Sequence, residues 1–327
     1  MENIILDCDP GIDDAIAIIL ALKSKNCKIK AITTVTGNTY SEVGTRNVIK
    51  LFYLLGIDWF AIERPTIAEG SKLPLSGRMN FAGSKQVHGL DGFGNTEDLF
   101  DEYKIPKKIH TEYDAMDLID SIASESEEPI TLVTLGPLTN IARVIEKDPS
   151  IIRKLKKVII MGGAIEVPGN VSPVAEFNIY TDPEAARTIF LSGLPILLVP
   201  LDVTKRYTLT KNDISEIIDV DSPVTNFVNK ALSYYMRITR IREGFEEDAC
   251  FLHDALAMGI AIDEGLRKTI KTKRYFVDVE TKGMLSSGQT IADRRRVPEF
   301  KEYGATDICF DIDFPKFVKF LTKIILD

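Results

Sequence analysis

The sequence of 327 residues contains few of the side chains that cross-link small folds through disulfides or metals, with four cysteines and three histidines. It also contains only one tryptophan. The cysteines are widely scattered and include no Cys-x-x-Cys pair; they are Cys8, Cys27, Cys250 and Cys309. This spacing indicates neither a zinc site nor a disulfide framework. We therefore expect reduced thiols and a cytoplasmic setting.

Positive charge and long apolar runs are also scarce. Lysine and arginine total 40 against 48 aspartates and glutamates, which gives a net charge of -8. Duplex nucleic acid and anionic membranes both need a basic face, so we expect neither as the main partner. No apolar run approaches the roughly 18 residues of a membrane span, and the opening residues lack the basic region of a signal peptide. Small ligands and divalent metals stay open.

What the sequence does contain is an alternation of strand-like and helix-like segments, with 45% hydrophobic residues to supply a core. The strand-like segments are 4–7, 28–36, 130–135, 157–161 and 195–200, and the helix-like segments are 13–24, 41–55, 138–146 and 182–192. This alternation predicts an α/β fold with a mainly parallel, Rossmann-like open sheet flanked by helices, in a single domain over 1–327. Segments 70–95 and 237–248 break the rhythm and predict long active-site loops.

Four aspartates crowd into eight positions directly behind the first apolar run: Asp7, Asp9, Asp13 and Asp14. A helix N-terminus and solvent account for one or two of them but poorly for four, because like charges this close need a compensating cation. Hard divalent ions such as Ca²⁺ or Mg²⁺ take oxygen ligands. The cluster therefore predicts a metal site.

Ligands of open parallel sheets bind beyond the carboxyl ends of the strands. Three other segments follow predicted strands in this way, namely Gly37-Asn38, Leu135-Gly136-Pro137 and Met161-Gly162-Gly163. We expect them at the same edge as the aspartates.

The histidines are ambiguous from the residues alone. His253, followed by Asp254, begins an apolar helix-like segment, and His88 lies in the Gly-rich stretch "VHGLDGFGN". Each is open between a site role and a structural role. We interpret His110, in a Lys-rich polar segment, as a surface residue.

One polar segment, "GNVSPVAEFNIYTDPEAA", contains Asn170, Glu176 and Asn178. Amides and a carboxylate suit the recognition of sugar hydroxyls. Spacing alone favours an ordinary polar loop that caps the following helix.

Six segments, in order, resemble the inosine–uridine-preferring nucleoside hydrolases over most of the chain. They are "DCDPGIDDA", "TGN", "VHGLDGFG", "LGPLTN", "GNVSPVAEFNIYTDPEAA" and "HDALA". The resemblance implies hydrolysis of the N-glycosidic bond of ribonucleosides to free base and ribose. It further implies a calcium-activated water, an oxocarbenium-like transition state, and a homodimer or homotetramer.

The resemblance also implies roles for individual residues. The Ca²⁺ ligands would be Asp9, Asp14, Asp254 and the backbone carbonyl of Leu135, with Asp7 orienting them. The residues around the ribose would be Asp13, Asn38, Asn170, Glu176 and Asn178, with Met161 beside it. Asp9 would accept the proton of the water, His253 would protonate the leaving base, and His88 would contact the base.

Base preference stays open at this point. The two histidines resemble the branch that includes non-specific and pyrimidine-preferring enzymes, while the single Trp59 lies far from every motif. Tyr234 and Tyr235 could approach the base from the charged segment.

Two alternatives compete with this interpretation. "ILDCDPG" also fits a haloacid-dehalogenase-type phosphohydrolase, with Asp7 as nucleophile, Asp9 as acid–base and Mg²⁺, but leaves "EFN" and "HDALA" unexplained. The other alternative is a non-catalytic nucleoside-binding module that keeps the calcium site.

Overall fold

The computed structural model describes residues 1–59, 61–79, 84–106, 109, 111–298 and 304–327; His110 lies outside these residues. The strands are β1 Glu2–Cys8, β2 Cys27–Thr34, β3 Thr66–Glu69, β4 Ile130–Thr134, β5 Leu155–Met161, β6 Ile196–Val199, β7 Leu209–Thr210, β8 Ala249–Cys250, β9 Lys271–Val279, β10 Thr290–Asp293 and β11 Gly304–Asp311.

The α-helices are α1 Ile12–Lys23, α2 Ser41–Leu54, α3 Lys85–His88, α4 Ala115–Glu125, α5 Thr139–Lys147, α6 Phe177–Thr181, α7 Pro183–Leu191, α8 Leu201–Thr204, α9 Ser215–Ile218, α10 Pro223–Glu243, α11 His253–Ile262, α12 Glu264–Arg267 and α13 Phe314–Leu326. Short 3-10 helices cover Glu97–Phe100, Pro149–Arg153 and Asn212–Ile214.

The central sheet has the strand order β10-β9-β11-β6-β5-β4-β1-β2-β3 in the described residues. Every neighbouring pair from β11 to β3 is parallel, and β9 and β10 are added antiparallel at one edge. This confirms the prediction of an α/β fold with a mainly parallel sheet. β7 and β8 form a separate two-stranded antiparallel pair.

Alternating side chains of β1 divide the core into two layers. Ile4, Leu6 and Cys8 pack with helices α1, α10, α11 and α13 on one face, while Ile5 packs with α4, α5 and α7 on the other. Period-two alternation places successive side chains on opposite faces. Because both faces are covered, the central strands are apolar throughout, as in β4, where every residue is buried.

The register brings the strand ends to one edge. Asp7 in β1 pairs with Thr33 of β2 and Thr134 of β4, and Thr134 pairs with Ile160 of β5. The segments that follow these strands therefore meet in space, as the sequence predicts.

The prediction of a loop over 237–248 was wrong for its first seven residues, which form the last two turns of α10. Charged side chains there occupy the exposed side of the helix, while Tyr235, Met236 and Thr239 are buried. The helix ends at Gly244, whose φ of +74° is a left-handed cap that glycine adopts easily. None of the helices in the described ranges combines the length and apolar character needed to cross a membrane.

Candidate active site

The acidic segment turns directly from β1 into α1 and is fully buried. Asp14 is the third residue of the helix, and its Oδ2 accepts from the Gly11 N–H at 2.9 Å. Its Oδ1 accepts from the Asp9 N–H at 3.2 Å. Free N–H groups and the helix dipole at this end favour a carboxylate, so the sequence DPGIDD folds back on its own backbone.

Asp9 sits in a cradle made by two glycines. Its Oδ2 accepts from the Asn38 N–H at 2.6 Å, while its buried Oδ1 has no hydrogen-bond partner in the described residues. A Cβ on Gly37 would overlap with this carboxylate, and one on Gly136 would lie 2.8 Å from Oδ1. Glycine at both positions lets the β2 and β4 connections approach Asp9 closely.

The start of α11 brings a distant part of the chain to the same place. Asp13 Oδ2 accepts from the Asp254 N–H at 3.0 Å, and Oδ1 accepts from the Ala255 N–H at 3.3 Å. Asp13 thus caps the helix that carries Asp254. The Asp14 carboxyl lies close enough to those of Asp9 and Asp254 to raise the pKa of both. We call Asp9, Asp13, Asp14 and Asp254 the acid cluster.

Ionisation is disfavoured throughout the acid cluster. Burial and then the neighbouring Asp14 carboxylate raise the pKa of Asp9 and Asp254 well above the usual range. Burial raises the pKa of Asp13 to about 7 and also raises that of Asp14. A divalent cation would offset both effects, because an opposite charge favours the ionised carboxylates.

The donor set of the acid cluster fits a hard cation. Carboxylate oxygens are the ligands that Ca²⁺ and Mg²⁺ take, and the buried, unpaired Oδ1 of Asp9 is available as one. The carbonyl of Leu135, another predicted ligand, accepts from Asn178 Nδ2 at 2.7 Å. Over the ranges that the structure describes, no three His, Cys, Asp or Glu side chains are already arranged as a metal site.

Asp7 forms its side-chain hydrogen bonds with residues outside the acid cluster. Its Oδ1 accepts from Thr33 Oγ1 at 2.5 Å and from Asn140 Nδ2 at 2.8 Å. Its carbonyl accepts from the Leu135 N–H at 2.8 Å. Complete burial raises the pKa of Asp7 to about 7. Asp7 therefore joins β1 to the turn that follows β4.

Glu176 and Asn178 build the opposite wall. Glu176 caps α6, and its carboxylate accepts from the N–H groups of Asn178 at 2.9 Å and Gly163 at 3.0 Å. Asn178 Nδ2 also lies 3.2 Å from the Met161 carbonyl. Burial raises the pKa of Glu176. Asn170 Oδ1 holds the start of the same helix through the Phe177 N–H at 2.9 Å.

The two histidines of the site, His88 and His253, are both neutral at pH 7. His88 Nδ1 accepts from the Ile12 N–H at 3.1 Å, and its ring stacks on Tyr235 at 5.9 Å. His253 Nδ1 lies 2.7 Å from Thr204 Oγ1. Burial lowers the pKa of His88 and of His253 to about 3, with help from Arg242 for His88 and from Lys205 for His253.

One cavity of about 530 Å³ brings most of the predicted residues together. Those that line it are Asp13, Asn38, His88, Leu135, Met161, Asn170, Glu176, Asn178, His253 and Asp254. Asp9 and Asp14 lie beneath, fully buried, and reach the cavity through Asn38 and Asp254.

The cavity also has walls to whose residues the sequence reasoning gave no individual role, although it expected active-site loops over 70–95 and 237–248. These residues are Ser84, Lys85, Gln86, Phe177, Lys205, Thr239, Arg242, Glu243 and Phe251. Tyr235 lines the cavity, whereas Tyr234 lies under Arg237 and beside Gly94. The i, i+4, i+7 spacing of Tyr235, Thr239 and Arg242 on one helix face was the available signal. Nothing local marks Lys205.

Comparison with known sequences identifies a family. The model of the family described as inosine-uridine preferring nucleoside hydrolase matches residues 4–319. The chain is 36% identical over 324 residues to the pyrimidine-specific ribonucleoside hydrolase RihA of Photobacterium profundum, covering 98% of this chain and 97% of the relative. It is 35% identical over 326 residues to the protein of the same name from Klebsiella pneumoniae subsp. pneumoniae, with the same coverage.

Solved structures give the same result. A plant nucleoside hydrolase, the PpNRh1 enzyme, superposes with a TM-score of 0.88 at 32% identity, covering 99% of this chain and 98% of that one. A purine-preferring ribonucleoside hydrolase from Gardnerella vaginalis gives 0.86 at 29% identity with the same coverage.

Proposed function

The chain belongs to the inosine-uridine preferring nucleoside hydrolase family and hydrolyses the N-glycosidic bond of ribonucleosides, and on that premise we propose that it does so with one calcium ion held at the acid cluster. The family is one of metal-dependent hydrolases. The proposal names the ion and assigns roles to the residues of the cavity.

The ion would be held by Asp9, Asp14, Asp254 and the carbonyl of Leu135. Calcium supports six to eight oxygen ligands in irregular shells, which suits carboxylates contributed from a turn and from two helix starts. When bound, the ion lowers the pKa of a coordinated water and orients it toward the sugar. The observation that carries the proposal is the convergence of these buried carboxyls, each with a raised pKa.

Asp9 is the base that we propose for the water. Its Oδ2 is fixed by the Asn38 N–H, and its Oδ1 has no other partner in the described ranges. A carboxylate held in this way keeps lone pairs beyond those that the ion and the Asn38 N–H would use, so it can accept a proton without moving.

The ribose would lie between Asp13 and the wall of Glu176 and Asn178. Cleavage of an N-glycosidic bond builds positive charge on the sugar ring, and nearby carboxylates oriented in advance stabilise that charge. Asp13 and Glu176 are both held by backbone N–H groups at helix starts. Their orientation is therefore set before substrate arrives.

His253 is the group that we propose to protonate the departing base, with His88 in contact with the base. The imidazole is neutral in the free protein because burial and Lys205 lower its pKa. A departing base gains negative charge, which favours the protonated ring, so the proton is taken up in the substrate complex. General acid assistance contributes about 10²–10⁴-fold.

We propose pyrimidine ribonucleosides as the preferred substrates. The relatives of 35–36% identity over 98% of the chain carry a pyrimidine-specific name. Trp59, the one tryptophan, packs on Phe52 and Arg64 and does not line the cavity. A panel of ribonucleosides and deoxyribonucleosides, assayed for free base, tests this: faster cleavage of purine ribonucleosides would contradict it.

We also propose a cytoplasmic homodimer or homotetramer. The four cysteines are buried and free, which suits a reducing compartment, and the oligomer is implied by the family resemblance. Light scattering on the purified protein measures the assembly directly, and a monomer at micromolar concentration would contradict the second part.

Metal removal tests the calcium assignment. We expect a chelator to abolish cleavage and added calcium to restore it. Asp9→Ala should lose bound calcium and cleavage together, because the same carboxylate binds metal and accepts the proton. Asp117→Ala, which removes an exposed carboxylate paired with Lys147, is the matched control. Full turnover by Asp9→Ala, or activity after chelation with no bound metal detected, would contradict the proposal.

The same assays separate the two alternatives. Release of phosphate from a phosphomonoester, with no ribose released from nucleosides, would indicate a phosphohydrolase. Binding of a nucleoside without turnover in the presence of calcium would indicate a binding module.

A further inference from the structure

The segment Leu201–Lys205 consists of α8 and the residue after it. It contacts elements on two sides of the cavity and belongs to none of the motifs. Its first residue, Leu201, donates its N–H to the Gly163 carbonyl at 2.9 Å. Asp202 accepts from the N–H groups of Ile165 at 2.9 Å and Glu166 at 2.7 Å. The start of α8 is thereby fixed to the loop after β5.

The last two residues of the segment reach the other side of the cavity. Thr204 is 2% exposed, and its Oγ1 lies 2.7 Å from His253 Nδ1. Lys205 pairs with both carboxylate oxygens of Glu243, at the end of α10, at 2.8 Å. Adjacent residues therefore hold the His253 ring and the helix that carries Tyr235.

We infer that Thr204 is a positioning residue that holds the His253 ring with Nδ1 turned away from the substrate and its other nitrogen, Nε2, free to serve the leaving base. His253 lines the cavity, and Nδ1 is engaged by the hydroxyl. The inference rests on the proposed role of His253 as the acid.

A hydroxyl is suited to this position because it both donates and accepts. Toward a neutral ring the Thr204 O–H donates to Nδ1, which places the single ring proton on Nε2. Toward a protonated ring the same oxygen accepts from Nδ1–H. One hydroxyl at 2.7 Å can therefore hold the ring by either kind of hydrogen bond.

Thr204→Val keeps the shape and the β-branch and removes only the hydroxyl. The ring can then rotate, and Nδ1 is left buried without its partner. We expect kcat for uridine or inosine to fall on the order of 100-fold, the usual consequence of a misplaced catalytic group. We expect little change for 4-nitrophenyl riboside, because nitrophenolate leaves without protonation.

Three further variants complete the experiment. Thr204→Ser keeps the hydroxyl and should restore most of the loss. Thr204→Ala serves as the hydroxyl-free variant if the valine protein does not fold. Thr306→Val is the control, because Thr306 is a fully buried threonine in β11 whose Oγ1 has no partner in the described residues; it should leave both substrates unaffected.

His253→Ala, measured in parallel, separates the proposed acid role of His253 from the positioning role of Thr204. If it slows natural nucleosides far more than the nitrophenyl riboside and Thr204→Val does not, the positioning role is overturned and the acid role stands. If His253→Ala slows both substrates equally, the acid role fails and the positioning role with it. Equal loss on both substrates for Thr204→Val, or no rescue by serine, would also overturn the inference.

Discussion

The Asp9 carboxylate lies so close to Gly37 and Gly136 that neither position has room for a side chain. Gly37 has ordinary backbone geometry, yet a methyl group there would overlap with Asp9 Oδ2 and lie 2.8 Å from Pro137 Cδ. Neither the buried carboxylate nor the proline ring can move aside cheaply. The glycine is required by the site rather than by the backbone.

Gly37→Ala should therefore reduce stability, and it should reduce activity by more than that loss of stability explains. We expect kcat/KM to fall on the order of 100-fold, because Asp9, the proposed base and metal ligand, is displaced, with calcium affinity falling in parallel. Gly193→Ala is the converse control: its Cβ meets no atom within 4 Å, but its φ is +81°, so it should cost about 1–2 kcal/mol of stability and no activity. Wild-type kcat/KM in the Gly37→Ala variant would contradict the claim that the Asp9 carboxylate requires glycine at this position.

Sequence reasoning finds residues of this kind when their chemistry is concentrated locally. Asp9, Asp13 and Asp14 are conspicuous because three carboxylates fall within six positions. Thr204 and Lys205 are common polar residues with no neighbouring pattern, and only the distance to His253 and Glu243 gives them meaning. Pairs that form across dozens of residues leave no periodic signal in one sequence.

At the scale of elements, the loop that carries His88 is tied to the acidic turn by one side chain of α2. Asn47 Nδ2 donates to the Asp91 carbonyl at 2.9 Å and to the Pro10 carbonyl at 3.2 Å. Asp91 in turn holds the N–H groups of Phe93 and Asn95, both at 2.8 Å. This buried amide therefore couples the loop to the turn beside Asp9, in addition to the bond from the Ile12 N–H to His88 Nδ1.

Asn47→Ala should loosen both partners at once. Two backbone carbonyls lose a donor, which costs about 1–3 kcal/mol for a buried group, so Tm falls. We also expect KM to rise, because His88 loses its fixed position. Asn226→Ala removes an exposed amide bonded to Asp221 and should change neither quantity. A lower Tm with an unchanged KM would show that the tie is structural only.

The alternation of strand-like and helix-like segments predicts the parallel strands of the sheet and the helices that cover it, because strands and helices each follow from the local hydrophobic pattern. The additions at the edge are different. β9 and β10 pair antiparallel, and β11 returns to lie beside β6, and these pairings depend on long-range contacts. α10 was not among the predicted helices, and its last turns were predicted as a loop because they are charged on the exposed side, so their helical period is weak.

For the whole molecule, the acid cluster makes stability depend on pH and, with the proposed ion, on calcium as well. A buried carboxyl with a raised pKa binds more protons in the folded than in the unfolded protein. Its contribution to stability therefore falls as pH rises from the unfolded value near 3.8 toward about 7, the value for Asp13. A bound cation removes this penalty because it favours the ionised form.

Calcium should accordingly raise Tm, and the increment should grow between pH 5 and pH 8. Scanning calorimetry with calcium and with a chelator, at matched ionic strength, measures it. The Asp117→Ala variant should show the same growth, whereas Asp9→Ala should show little shift at either pH. An equal rise in Tm on adding calcium at pH 5 and at pH 8 would mean that the acid cluster binds no extra protons in the folded protein.

The separation of the acid cluster along the chain has a consequence for biosynthesis. Asp13 and Asp254 are 241 residues apart, and ribosomes add roughly 5–20 residues per second, so roughly 12–48 s pass between them. Throughout that interval the aspartates of the first turn lack the carboxylate that completes their set. No growing chain that ends before α11 can hold the ion as proposed, so loading with calcium would come only after more than three quarters of the chain has been made.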